Sequence, residues 1–149
     1  MATGYALEQV GVLDGTKNPP ALADGRVVGG RMLLFQATFD LSKTTVAKNN
    51  GDNNVCFVCP GDCHPVAFMF LASATMGAAA TIAVGNATTP AKYKGAATFT
   101  TPDTPTWFML SSAADDPPLS DPETVIMTIG AAALPGAGIL QIFMLASKV

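Results

Sequence analysis

Charge is scarce in this sequence. Lys and Arg together number 8, Asp and Glu number 11, and charged residues make up 13% of the 149 residues, about half of the ~25% that is usual in soluble domains. A folded monomer with so few charges would expose much apolar surface, so the composition favours a protein that assembles with other subunits. The net charge of -3 and the lack of a basic stripe argue against a nucleic-acid partner.

Cysteine is also rare, and its three copies lie in one stretch from Cys56 to Cys63. An odd number of closely spaced cysteines is a poor disulfide framework, which indicates folding in a reducing compartment. The first five residues contain neither a basic nor an apolar region, so no signal peptide is expected.

The same stretch is the one place rich in metal-ligand residue types. Cys56 and Cys59 precede a Pro-Gly turn, and such a turn can present two thiolates to zinc. A structural zinc site normally takes a second pair of ligands from a distant segment, whereas Cys63 and His64 are immediate neighbours. We therefore expect small apolar thiols at a strand end and no cofactor, with a zinc site or a disulfide to Cys63 as alternatives.

No catalytic constellation is visible. Cys63 and His64 are not expected to form a nucleophile pair, because neighbouring side chains of an extended strand point to opposite faces. Asp115 and Asp116 precede two prolines in a loop, where solvated carboxylates are commoner than an acid–base pair. The sequence therefore predicts a protein that is not an enzyme.

Two long runs, residues 66–91 and 125–147, carry no charge. Each exceeds the ~18 residues of a candidate membrane-spanning helix, so a two-span membrane protein is one alternative. The first run is mostly Ala, Gly, Thr and Ser at its centre, and the second is interrupted by Pro135 and Gly136. Both runs fit short strands around a turn better than single helices, and we expect no membrane partner.

Short apolar strands separated by turn residues account for most of the chain after Asp24. Residues 31–41 alternate between an apolar and a more polar face, whereas residues 66–73 and 81–85 are apolar on both faces. Strands of the second kind are typically covered by another sheet or by a neighbouring subunit. Further strands are expected at 55–59, with Val55, Phe57 and Cys59 on one face, and at 96–101, 106–110, 124–130 and 139–145. We expect the last two to pair as a hairpin-like meander.

About eight strands without an amphipathic helix predict an all-β fold, an antiparallel sandwich or barrel. Eight strands in two sheets suit a jelly-roll-like sandwich, which we expect over residues 25–149, with another Greek-key topology as the alternative. Residues 1–24 contain several glycines and Pro19–Pro20, which favour extended backbone. They predict an extended N-terminal arm that docks on another protein, with a frayed terminus as the alternative. The residues expected to make this contact are Tyr5, Leu7, Val10, Val12 and Leu13.

Taken in order, five segments resemble the small head proteins of tailed bacteriophages that act as decoration or cement proteins. They are residues 24–31 (DGRVVGGR), 81–85 (TIAVG), 91–100 (AKYKGAATFT), 101–106 (TPDTPT) and 123–135 (ETVIMTIGAAALP). The arm before Asp24 and the stretch from Cys56 to His64 depart from the pattern.

The resemblance implies a jelly-roll-like, homotrimeric knob on the outer capsid surface of the virion, made in the cytoplasm of the bacterial host. Its partner would be the major capsid protein, and its role would be to stabilise the shell against the pressure of packaged DNA. Two alternatives stand beside it. The uncharged runs suggest a phage lysis-pore former, and Trp107 suggests a carbohydrate-binding virion knob in which the indole stacks on a sugar.

Overall fold

The computed structural model describes residues 31–110 and 117–148, and the predicted arm with its five contact residues lies outside these ranges. The described residues form eight β-strands and no helix. In chain order the strands are β1 (Arg31–Asp40), β2 (Asn53–Cys59), β3 (Cys63–Ala72), β4 (Thr81–Gly85), β5 (Lys94–Ala97), β6 (Thr106–Met109), β7 (Glu123–Gly130) and β8 (Ile139–Lys148).

The strands form two antiparallel four-stranded sheets. Sheet A has the order β1-β8-β3-β6 and sheet B has the order β2-β7-β4-β5. The first and last strands pair with each other, and every connection except that between β4 and β5 passes from one sheet to the other. This interleaving of eight strands is the jelly-roll arrangement, so the predicted all-β, jelly-roll-like sandwich is confirmed.

The inner faces of the two sheets enclose one hydrophobic core. Strand alternation places every second side chain on this face, and full burial of each large one contributes roughly 1.5–3 kcal/mol. The Phe68 ring stacks on Phe108, with centroids 5.7 Å apart, and the Phe70 ring stacks on Phe99 at 4.4 Å. The largest fully buried side chains come from both sheets and their connections: Phe68, Phe70, Leu41, Met76, Ile82, Met127, Ile129, Leu140, Ile142, Met144, Val84 and Val125.

Two β-bulges change which residues face the core. In β2 the register against β7 shifts between Val55 and Phe57, so Val55 is 64% exposed whereas Phe57 packs against the core. The prediction that these two residues share a face was wrong, because a bulge adds one residue and reverses the alternation. In β3 a shift between Pro65 and Ala67 places Val66 at the bulge, outside the regular alternation that brings Phe68 and Phe70 into the core.

The predicted pairing of the last two strands was also wrong. Strand β7 pairs with β2 and β4 in sheet B, whereas β8 pairs with β1 and β3 in sheet A. The connection between them crosses the end of the sandwich. It is held there by backbone hydrogen bonds from Leu134 N to Lys48 O (2.8 Å) and from Leu41 N to Gly138 O (2.9 Å).

The other strand predictions differ from the structure mainly at their ends. Strand β4 has the predicted bounds, whereas β5 covers Lys94–Ala97 instead of residues 96–101. Phe99 leaves the strand because its ring stacks on Phe70 and its carbonyl accepts a hydrogen bond from Met76 N at 2.8 Å. Contacts at the end of the core therefore override the local strand propensity.

The two uncharged runs are built into the sandwich. Residues 66–91 contain most of β3 and all of β4, and residues 125–147 contain most of β7 and β8. These runs form strands and not the two spanning helices of the membrane alternative. In residues 31–110 and 117–148, no helix has the length and apolar character needed to cross a membrane.

Gly85, at the end of β4, tests how tightly this strand packs against the connection between β4 and β5. A Cβ atom at this position would lie 2.6 Å from Pro90 C and 2.7 Å from Lys92 N, and would also meet the Thr89 carbonyl. All of these are backbone atoms, so we expect Gly85→Ala to lower the free energy of unfolding by about 1–3 kcal/mol. Gly95→Ala, with no atom within 4 Å of the added Cβ, is the matched control. Equal urea-denaturation midpoints for the two variants would contradict the structure.

Candidate docking surface

Sheet A has a second apolar face, which points away from sheet B. We call it the outer face of sheet A. Its members alternate with the core residues along β1, β8, β3 and β6, and the antiparallel register aligns them in rows across the sheet. They include Met32, Leu34, Gln36, Thr38, Gln141, Phe143, Leu145, Ser147, His64, Ala67, Met69, Leu71, Trp107 and Met109.

Two adjacent rows form the apolar centre of this face. The first row runs across all four strands as Leu34, Leu145, Ala67 and Met109. The second row runs beside it as Gln36, Phe143, Met69 and Trp107. Since neighbouring strands lie about 4.8 Å apart, each row is roughly 14 Å long. The rows bring together residues from four separate parts of the sequence.

Several large apolar side chains on this face are exposed. Met32 is 57% exposed, Leu34 64%, Trp107 56% and Met109 68%. Single exposed apolar residues are ordinary on protein surfaces, but a contiguous patch of them marks a site of interaction. The two central rows contain no ionisable side chain.

The face becomes polar at the β1 end of the second row, with Gln36 in that row and Thr38 and Gln141 in the next. Gln36 Nε2 donates a hydrogen bond to Thr38 Oγ1 at 3.3 Å, and Gln141 Nε2 donates to the same oxygen at 3.5 Å. Beyond them, Asp40 accepts hydrogen bonds from the backbone and the hydroxyl of Ser42. An apolar centre with a polar border is the usual anatomy of a protein–protein interface.

The outer face of sheet B differs in composition. Small and polar residues dominate it, and Thr128 Oγ1 donates a hydrogen bond to Asn53 Oδ1 at 2.7 Å across β2 and β7. Only at the edge strand β2 are large apolar residues well exposed, with Val55 at 64% and Val58 at 54%. The continuous apolar surface is therefore a feature of sheet A.

The predicted metal-ligand residues lie at one end of the sandwich. Cys59 and Cys63 are fully buried, Cys56 is partly buried, and all three are free thiols. His64 is partly buried, and its Nε2 atom has no hydrogen-bond partner among the described residues. Within residues 31–110 and 117–148, the fold brings together no group of three or more His, Cys, Asp or Glu side chains that would hold a metal ion.

Burial keeps the thiols of Cys56 and Cys59 protonated. It raises the pKa of Cys56 to about 12, against a weaker opposing hydrogen bond with the backbone of Met127. Burial also raises the pKa of Cys59 to about 12, and the neighbouring Cys63 thiol adds to the effect. Because the thiolate is the reactive form, these side chains have the character of apolar core residues.

One polar cluster joins the two ends of the β4–β5 connection to β7. The Glu123 carboxylate accepts hydrogen bonds from Asn86 Nδ2 (2.8 Å), Lys92 Nζ (2.6 Å) and the Tyr93 hydroxyl. Burial would raise the pKa of Glu123, but the bonds from Lys92, Tyr93 and Asn86 outweigh it and hold the pKa below its usual value of 4.5. The cluster fixes the loop between β4 and β5 against the start of β7.

No protein-family model matches the sequence, and no curated protein matches it. The fold is similar to that of a chain in the capsid asymmetric unit of cyanophage Pam1, with a TM-score of 0.59, 14% identity, and coverage of 93% of this chain and 100% of that chain.

Two further solved structures have similar chains. One is the capsid of Ralstonia phage GP4, with a TM-score of 0.57, 18% identity, and coverage of 80% of this chain and 84% of that chain. The other is the acidic stable capsid of Helicobacter pylori bacteriophage KHP30, with a TM-score of 0.54, 12% identity, and coverage of 78% and 86%. At these identities the likeness shows the fold alone.

The outer face of sheet A was not predicted as an interaction surface, although part of the apolar pattern that forms it is visible in the sequence. Residues 66–73 were predicted to be apolar on both faces, which pointed to a neighbouring subunit as one of two explanations. The contributions of Leu34, Met109 and Leu145 were missed, because only the cross-strand register brings them together.

The buried thiols lead to a labelling prediction. At pH 8 we expect Cys56 and Cys59 in the folded protein to react with a thiol reagent at least about tenfold more slowly than in urea, because little thiolate is present. Val58→Cys, at a position that is 54% exposed, should add one rapidly reacting thiol and serves as the positive control. Rapid labelling of all native thiols would contradict the burial, and stoichiometric zinc in the purified protein would support the metal alternative.

The Glu123 cluster leads to a prediction about pH. A carboxylate whose folded pKa is lowered stabilises the protein above its unfolded pKa and loses that contribution as pH falls through the folded value. Glu123→Gln should therefore cost up to about 1 kcal/mol at pH 7, since Lys92 is 36% exposed. The difference from wild type should shrink at pH 3. Urea denaturation at both pH values measures this, with Asp121→Asn as control because Asp121 bonds only its neighbour Ser120 among the described residues.

Proposed function

We propose that this protein is a structural component of a phage virion, and specifically a decoration protein on the outer surface of the capsid. The observation that carries the proposal is the likeness of nearly the whole fold to a chain in the Pam1 capsid asymmetric unit. Similar chains in the capsids of phages GP4 and KHP30 support it. A jelly roll serves many functions, so the surface of the chain must supply the rest of the argument.

The outer face of sheet A supports a role in assembly. Its two central rows carry no charge, and four large apolar side chains on the face are more than half exposed in the isolated chain. Covering apolar surface contributes about 25 cal/mol per Å², so a chain with this face gains free energy by binding other subunits. The proposed partners are the major capsid protein and two further copies of this chain.

The proposed action is mechanical and not enzymatic. A protein that binds only the assembled shell stabilises that state by mass action. The stabilisation grows with the logarithm of the ratio of the protein's concentration to its dissociation constant. Bound knobs would in this way resist the outward pressure of packaged DNA. The protein would be made in the cytoplasm of the bacterial host and would reach the shell from outside.

The N-terminal arm, residues 1–24, is proposed to make part of the contact with the capsid. An extended chain of this length spans at most about 80 Å, enough to reach beyond the sandwich and lie along another subunit. Its apolar side chains have no regular pattern with which to build a core of their own. The residues proposed to contribute are Tyr5, Leu7, Val10, Val12 and Leu13.

The exposed indole of Trp107 gives a reason to consider a carbohydrate-binding knob, because sugars stack on aromatic rings. Sugar sites also place hydrogen-bonding groups beside the ring. The residue opposite Trp107 on β3 is Met69, and Met109 lies on the same face of β6. Neither side chain offers a polar group suited to a sugar, so the surroundings favour contact with protein.

The proposed function can be tested by adding the protein back to capsid shells. Purified chain, added to mature shells that lack it, is expected to sediment with the shells in saturable amounts and to raise the temperature at which they release DNA. A chain that stays in the supernatant at all concentrations would refute the decoration role. Strand-dominated circular dichroism in plain buffer would separately confirm that the added protein is folded.

Deletion of residues 1–20 tests the arm. We expect the truncated protein to keep its circular dichroism spectrum and to bind shells at least about tenfold more weakly, because the arm's apolar contacts are lost. The double substitution Val10→Asp and Val12→Asp should give the same direction of change. Thr16→Asp, which adds a charge to the arm without removing an apolar side chain, is the control. Unchanged occupancy after the deletion would refute the role of the arm.

A further inference from the structure

The two sheets have four edge strands, β1 and β6 in sheet A and β2 and β5 in sheet B. An unpaired edge offers its backbone to another chain, and proteins usually prevent this with short edge strands, bulges or charges. Strands β5 and β6 have four residues each, and β2 has a bulge between Val55 and Phe57. Strand β1 has none of these features. It has ten residues, pairs with β8 without a shift in register, and carries charge only at its ends, Arg31 and Asp40.

The hydrogen-bond pattern shows which backbone groups of β1 are unpaired. Leu41 N donates to Gly138 O at 2.9 Å, and these two residues continue the register in which Asp40 is opposite Ile139. In an antiparallel pair, bonded positions alternate with unbonded ones. The odd-numbered residues of β1 therefore bond β8, and the even-numbered residues direct their N–H and C=O groups away from it. Within the described residues these groups have no hydrogen-bond partner at four positions: Met32, Leu34, Gln36 and Thr38.

We propose that β1 pairs with β1 of a second copy of this chain, antiparallel and about a two-fold axis beside Phe35. In this register Met32 is opposite Thr38 of the other copy, and Leu34 is opposite Gln36. Each of the four free positions then meets a free position, so all four N–H and all four C=O groups of each copy are paired.

Neighbouring registers do not pair these groups completely. With a shift of two residues in one direction, Met32 would meet Asp40, whose carbonyl already accepts a hydrogen bond from Lys43 N at 3.0 Å. With a shift of two residues in the other direction, Thr38 would meet residue 30, which precedes the strand. The free edge of β1 is therefore complementary to itself in one register.

The inference goes beyond the proposed function. A two-fold contact joins copies in pairs and uses the same surface of each copy. It cannot close a ring of three, so it is separate from the contact that would form a trimer. On a shell it would link neighbouring decoration proteins to each other.

The side chains of β1 suit a contact with their own copies. Near a two-fold axis each residue lies close to the same residue of the other copy, so a charge there would meet its own sign. Residues 32–39 contain no charged residue. On the core side of the strand, Phe35 would lie opposite Phe35 of the other copy, and cross-strand aromatic pairs stabilise sheets. The Phe35 ring is only partly buried and stacks on Phe57 of β2, with centroids 5.5 Å apart.

On the outer face of sheet A, the same pairing covers exposed apolar side chains. Met32 is 57% exposed and Leu34 is 64% exposed. Neighbouring strands lie about 4.8 Å apart, so Thr38 and Gln36 of the other copy would pack beside them. The two four-stranded sheets A would join into one continuous sheet, with the outer faces of both copies on the same side.

Proline in β1 tests the pairing with no shell present. Gln36→Pro removes an N–H that points away from β8, so the single chain keeps its own ladder but loses a bond to the other copy. At the same concentration, wild-type protein is expected to have twice the mass of this variant by light scattering and to associate at least tenfold more tightly. Circular dichroism establishes that the variant is folded. Equal masses would overturn the inference.

Met109→Pro is the matched control, at the opposite edge of the same sheet. Leu110 N donates to Val66 O at 3.2 Å, so by the same alternation the Met109 N–H points away from β3. The substitution removes a free N–H from a strand that the inference leaves unpaired, and the mass should stay that of wild type. A mass lowered by Met109→Pro and not by Gln36→Pro would assign the contact to β6 and overturn the inference.

Cysteine cross-linking tests the register. Leu34 and Gln36 of the other copy would have Cα atoms about 5.5 Å apart, a separation that disulfides bridge. A mixture of Leu34→Cys and Gln36→Cys proteins, treated with oxidised glutathione, should give at least tenfold more disulfide-linked pairs than either protein alone. The native thiols are the same in all three samples. Efficient linkage of Leu34→Cys alone, or of Gln36→Cys alone, would indicate a shifted register and overturn the proposed one.

Other occupants of this edge would give different results. If residues 1–24 cover it, wild type and Gln36→Pro would have equal masses, and deletion of residues 1–20 would raise the mass of wild type. If a shell subunit covers it, Gln36→Pro would keep the wild-type mass and bind shells at least tenfold more weakly. Either result overturns the inference and leaves the decoration role intact. A pair formed by β1 that never binds shells would refute only the decoration role.

Discussion

Sheet A has two apolar faces, and sheet B covers only one of them. The inner face is completed by core residues such as Met127 and Ile129 of β7, which are at most 1% exposed. The outer face has the same alternation of large apolar side chains but no sheet over it in the described part of the chain. Because burial of apolar surface is the main favourable term in association, this imbalance links the fold to assembly.

Local features keep the sandwich in the one register that produces both faces. The bulges near Cys56 and Val66 reverse the alternation within β2 and β3, so that each strand can serve the core along its whole length. At the rim, Glu123 binds three side chains of the β4–β5 connection, and the backbone passes directly over Gly85. These contacts hold the ends of the strands, and the inner faces of the two sheets form the core between them.

The proposed function depends on the surface more than on the architecture. Likeness to chains from three phage capsids shows the fold, at 12–18% identity. The exposed apolar side chains and the uncharged central rows of the outer face of sheet A are consistent with a subunit that binds other subunits. In this view the low charge of the chain reflects the surface that assembly is proposed to cover.

The sequence by itself determined the all-β class and most strand positions, because alternation and turn residues are local. It also indicated that residues 66–73 have two apolar faces, and β4 was predicted with its correct bounds. It could not determine that β7 and β8 lie in different sheets, or that Val55 turns outward, because both depend on partner strands distant in the chain. Only the tertiary structure placed Leu34, Ala67, Met109 and Leu145 in one row, since cross-strand register joins residues that no local pattern relates.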